Sequence, residues 1–145
     1  MRRSNKGFSL LELLIVVAII LIIATIAIPS LLRSRQAANE SAAVANIRTI
    51  NTAEVTYLSS SGGAYGGVGD LITAGLLDTR FGNATTGVSG YSYGIATASG
   101  NYTATATAIS PNNGRWAYYS GPDGVVRYTS TTALAPTGQA GQPVQ

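Results

Sequence analysis

Glu12 is the only formal charge between Lys6 and Arg33, and Leu13–Ile28 beyond it holds fifteen apolar residues in sixteen. An acidic residue in such company costs about 2.5–3.5 kcal/mol near the centre of a membrane helix and less near its ends. It asks for a cation. Hydrolysis of the Gly7–Phe8 peptide bond would remove a basic leader, create an α-amino group on Phe8 and leave Glu12 fifth in the shortened chain. Within one helix that amine points back along the axis and reaches its own Glu12 awkwardly, whereas the amine of a copy displaced along the axis does better. An unpaired buried charge costs several kcal/mol while a paired one approaches neutrality, which makes Glu12 a candidate for setting the register between copies.

Other routes to chemistry are few. The 145 residues include no Cys and no His, which excludes disulfides, thiolate or imidazole metal sites, and Cys/His or Ser/His/Asp catalysis. No catalytic residue, metal or cofactor is expected. Asp70, Asp78 and Asp123 lack the spacing of a D-x-D-x-D calcium loop and read as caps and turns. "SSSGGAYGGVGD", Ser59 to Asp70, lacks both GxGxxG and GxxxxGK[ST], so phosphate binding is not expected. Asn39, Asn83 and Asn101 open N-x-[ST] triplets, which arise readily in a Ser/Thr/Asn-rich chain. Charged residues are only 10%, and Arg2, Arg3 and Lys6 account for the whole +3 net charge, so no specific nucleic-acid site is expected.

The elements that must position Gly7, Phe8 and Glu12 follow from the hydropathy. Phe8 to Leu32, at about 1.5 Å per residue, spans a roughly 30 Å hydrocarbon core. Arg2, Arg3 and Lys6 hold the N-terminus in the cytoplasm and leave everything after Arg33 outside. A secretory signal peptide fits poorly, because the apolar run is too long and its small-x-small sites are badly placed. An ordinary signal-anchor helix explains all but Glu12, whose carboxylate could reach water at the cytoplasmic interface.

"KGFSLLELLIVVAIILIIATIAIPS", Lys6 to Ser30, resembles the N-terminus of type IV prepilins and pseudopilins, with a short basic leader and a Gly-Phe cleavage site. The resemblance implies a cleaved leader, residues 1–7, and N-methylation of Phe8 by a prepilin peptidase/methyltransferase. It also implies a homo-oligomeric helical filament with Glu12 as the register, built by an inner-membrane platform with a cytoplasmic ATPase. The fold implied is α+β, a long N-terminal helix packed on an antiparallel sheet of about four strands. The subunit is then a single-pass inner-membrane protein before assembly and part of an extracellular filament afterwards. A major pilin is the leading reading, a pseudopilin of secretion or DNA uptake the close rival, and a monomeric membrane-anchored binding domain the third.

Pro29 removes one helical amide bond and is expected to kink the helix or let it melt. Residues 33–60 should continue as an amphipathic helix, with Val44, Ile47, Ile50, Tyr57 and Leu58 on one arc and Glu54 falling inside it, either at a wet edge or paired with a base. Arg33, Arg35, Glu40 and Arg48 read as solvated charges. In the Gly-rich connecting region, residues 61–90, Asp70 should cap a short helix reaching Leu77. Four strands follow within residues 91–129: Tyr91–Ala98, Tyr102–Ile109, Arg115–Ser120 and Val125–Thr129. They are separated by "SGN", "SPNNG" and "GPDG". "YTATATAI" alternates strictly and places Tyr102, Ala104, Ala106 and Ala108 on one face. Trp116, Tyr118 or Tyr119, and Val125 or Val126 should join the core. Residues 130–145 read as a mobile tail.

Overall fold

In the computed structural model, which describes residues 7–129 and 141–144, the chain forms two compact units, Met1–Ser34 and Arg35–Gln145. Helix α1 runs Leu10–Ser60 and contributes to both. Within the first unit, every large apolar side chain of α1 from Leu10 to Leu32 is exposed. A helix satisfies its own backbone, and one that is apolar all round suits a bilayer or the interior of a larger assembly. Two of its hydroxyls are silenced locally: Thr25 donates to the Ile22 carbonyl at 2.7 Å and Ser34 to that of Ser30 at 3.1 Å. The helix is unbroken at Pro29.

The second unit is an α+β arrangement of α1 and a five-stranded antiparallel sheet. Ala43, Ile47 and Ile50 recur at helical spacing along α1, are fully buried, and join Tyr102, Ala104, Ala106, Tyr118 and Val126 in one core. The sheet is a meander of β1 (Tyr91–Ala98), β2 (Asn101–Ala108), β3 (Ala117–Ser120), β4 (Arg127–Thr129) and β5 (Gln142–Pro143), in that order. Between β1 and β2 the two-residue connection Ser99-Gly100 closes on the Ala98–Asn101 pair, with Gly100 at φ +69°. Along β2 the alternation places Tyr102, Ala104 and Ala106 inside, and Thr103, Thr105 and Thr107 on the other face.

Several boundaries move, each for a local reason. β3 begins at Ala117 rather than Arg115 because two backbone groups ahead of it are engaged elsewhere: the Arg115 amide donates to Glu40, and the Trp116 carbonyl accepts from the Tyr91 hydroxyl. β4 begins at Arg127 rather than Val125 because the Asp123 carboxylate holds the Val125 amide in the turn. The short helix α2 spans Val68–Thr73, not Asp70–Leu77. Gly67 is its N-cap, Asp70 sits inside the first turn and accepts from the Gly67 amide at 2.8 Å, and Gly75, at φ +72°, ends it. Asp78 instead caps a 3-10 turn, Thr79–Gly82. Of the stretch read as a tail, residues 130–140 and 145 lie outside the described residues, while β5 adds a fifth strand by pairing with β4.

The turn before β4 carries a pH prediction. Arg127 bonds Asp123 and holds its carboxyl below the ordinary value of 3.8. A depressed folded value stabilises the fold fully above the unfolded value and loses that contribution as pH falls through the folded one. Asp123→Asn should therefore remove part of the acid sensitivity of unfolding below about pH 4, followed by circular dichroism. An unchanged acid limb would show that the pair contributes nothing.

Candidate processing and assembly site

Gly7, Phe8 and Ser9 precede α1 without regular structure, and the Phe8 ring is 85% exposed. Arg2, Arg3 and Lys6 lie outside the described residues. Ser9 occupies the N-cap position. Its carbonyl accepts from the Leu13 amide at 3.3 Å, and its own amide donates to Glu12 Oε2 at 2.9 Å. This is the return half of a capping box, S-x-x-E, in which a carboxylate at the third helical position satisfies an amide the helix cannot. Glu12 thus has a role within its own chain that charge counting alone overlooks, although the Ser9-x-x-Glu12 spacing announces it. Oε1 makes no hydrogen bond among the described residues. Beside Glu12, Leu10, Leu13, Leu14, Val17, Ala18 and Leu21 line a shallow apolar groove.

In the second unit the structure assigns partners the sequence leaves open. Glu40 is not a solvated charge. It is buried and accepts from the Arg115 amide at 2.8 Å, Nε at 3.1 Å and Nη2 at 2.9 Å, tying α1 to the start of β3. Nor does Glu54 reach a wet edge or a base: it is fully buried and accepts from the Gly66 amide at 3.1 Å. Arg33, Arg35 and Arg48 are exposed and have no ion pair among the described residues. Asn51, which nothing in its sequence neighbourhood marks out, is the polar hub of the core. It donates to Ser120 Oγ at 2.8 Å and to the Gly124 carbonyl at 3.4 Å, and it accepts from the Tyr102 hydroxyl at 2.9 Å.

Residues 2–28 match the family model of the prokaryotic N-terminal methylation motif. The chain is 44% identical over 55 residues to the type IV major pilin protein PilA of Myxococcus xanthus, covering 38% of this chain and 25% of that protein. It is 38% identical over 77 residues to the type IV wide pilus major component PilA4 of Thermus thermophilus, covering 53% and 59%. These matches support a type IV pilin-family reading of the chain. The chain spans a quarter of the length of the first curated relative and about three fifths of the second. No solved structure matches it significantly. Helix α1 is long and apolar enough to cross a membrane.

Proposed function

We propose that this chain is a non-enzymatic structural subunit, a major pilin. It enters the inner membrane through Phe8–Leu32 as a single-pass protein with Arg2, Arg3 and Lys6 in the cytoplasm. A prepilin peptidase/methyltransferase cuts between Gly7 and Phe8 and methylates the new Phe8 amine. An inner-membrane platform driven by a cytoplasmic ATPase then draws it into an extracellular helical filament. The observation that carries this reading is the single carboxylate, Glu12, in the first turn of a helix otherwise apolar on all sides.

The capping geometry supports a division of labour within that carboxylate. Oε2 keeps the Ser9 amide, which survives cleavage, and Oε1 meets the Phe8 amine of the next copy. Both bonds strengthen when water is excluded, since an ion pair out of water that is fully hydrogen-bonded loses least. Pro29 is the proposed yield point of α1 as the subunit leaves the bilayer, because one amide bond is already missing there. The names of the relatives, both major pilus components, favour a pilus over the other readings.

The test is the N-terminus of material sheared from cells. Mass spectrometry should find a chain beginning at N-methylated Phe8, and negative stain should show long fibres; a chain beginning at Met1 in soluble monomers overturns the proposal. Gly7→Leu sharpens it. A side chain at Gly7 meets nothing within 4 Å, so the substitution leaves the fold alone. The variant should accumulate uncleaved in the membrane, and normal trimming would move the cut elsewhere.

A further inference from the structure

Glu54 sits on the inward face of α1, four residues after Ile50 and seven after Ile47, where the pattern calls for an apolar side chain. It is 0% exposed. Oε2 accepts from the Gly66 amide at 3.1 Å; Oε1 is enclosed with no hydrogen-bond partner. The titratable groups acting on it are Asp70 from α2, whose negative charge opposes ionisation, and Tyr102 from β2, whose hydroxyl is committed to Asn51. The Tyr57 ring of α1 lies against Gly66, and Tyr65, in the same segment as Gly66, packs on Tyr102 with ring centroids 4.7 Å apart. No basic side chain acts on Glu54 among the described residues.

An ionised carboxylate here has one oxygen on an amide and the other stranded without a cation, a costly state in a dry site. The neutral acid keeps the Gly66 bond through its carbonyl oxygen and leaves a single unmatched hydroxyl, which costs less. Burial accordingly raises the Glu54 pKa, the Gly66 amide opposing the rise and Asp70 adding to it. The element best able to admit water is the segment 61–67. It contains four glycines and belongs to no strand or helix. Its backbone amide bonds to the rest of the unit run from Ser61 to the Tyr57 carbonyl, from Gly63 to that of Leu58, from Gly66 to Glu54 and, at its end, from Gly67 to Asp70. Gly66 also lies so close to α1 that a Cβ there would meet the Tyr57 ring at 2.9 Å.

We propose that Glu54 is a proton-operated latch: as the neutral acid it holds the Gly-rich segment closed on α1, and on ionising it releases residues 62–66, with Gly67 still held by Asp70, and admits water to its own carboxylate. The latch lies wholly within the second unit and does not depend on polymerisation.

Hydrogen exchange of the full chain in detergent micelles tests it, read on peptides covering 61–67 and corrected for the base catalysis of exchange itself. From about pH 5 to about pH 8, protection of the Gly66 amide should fall about tenfold or more in the native sequence. Glu54→Gln, neutral at every pH and still an acceptor for Gly66, should stay protected throughout. Asp70→Asn, which keeps an acceptor for Gly67 but removes the repulsion, should shift the opening to lower pH. Protection independent of pH in the native chain, or the same pH profile in Glu54→Gln, overturns the latch. Should Glu54→Gln fail to fold, an unshifted midpoint in Asp70→Asn overturns it equally.

Discussion

Glu12→Ala chains are expected to reach the membrane at normal or higher levels, lose their leader, and yield almost no fibre. Removing one partner of a desolvated ion pair costs about 3–5 kcal/mol, which lowers each association constant by about two to three and a half orders of magnitude. Alanine also frees the Ser9 amide at the helix start, which costs about 1 kcal/mol. The two losses separate cleanly. Glu12→Gln retains an acceptor for the Ser9 amide and lacks only the charge, so it should preserve the helix start and still fail to polymerise. Fibre yield, measured as sheared protein against total membrane protein, decides the matter: ordinary yield from Glu12→Gln would remove the electrostatic register and leave Glu12 as a helix cap.

Asn51→Ala should be the most damaging polar substitution in the second unit. It strands the hydroxyls of Tyr102 and Ser120, 2% and 0% exposed, between α1 and the sheet. Each buried unsatisfied group costs about 1–3 kcal/mol, so the expected loss is about 2–6 kcal/mol and should appear as a fall of roughly ten degrees or more in the melting temperature. The cause is testable apart from the cavity. Adding Tyr102→Phe and Ser120→Ala to Asn51→Leu removes the stranded partners and should recover much of the loss, because replacing a whole hydrogen-bonded set by apolar groups of similar shape can be nearly neutral. A melting temperature within about one degree of the native value for Asn51→Ala would show that water enters the hub at no cost.

What is legible in the sequence divides along a physical line. Features written within a few residues can be read directly: the lone carboxylate after Gly7-Phe8, the apolar run, the alternation of β2, and the turn signal in "SGN", whose Asn101 already belongs to β2. Even the Ser9-x-x-Glu12 cap is of this kind, hidden only because the search for a distant cation draws attention from the nearest amide. Features made by residues far apart are not legible. Glu40 and Arg115 are 75 positions apart, Asn51 and Ser120 are 69, and neither pair exists until α1 and the sheet have docked. Those same contacts fix where β3 starts, so strand limits inherit the difficulty. β5 eluded pattern reading for another reason. Two residues, one of them proline, carry no alternation, and only the neighbouring β4 gives them a partner.

After Tyr102, the fully buried residues of β2 are alanines, Ala104 and Ala106. A single methyl thus sets how close the strand lies to the layer beneath, and anything larger would have to lever the meander outward at about 1–3 kcal/mol. Enlargement is therefore tolerated better on the threonine side and at the hairpin ends, where added bulk meets solvent instead of the seam that holds the second unit together.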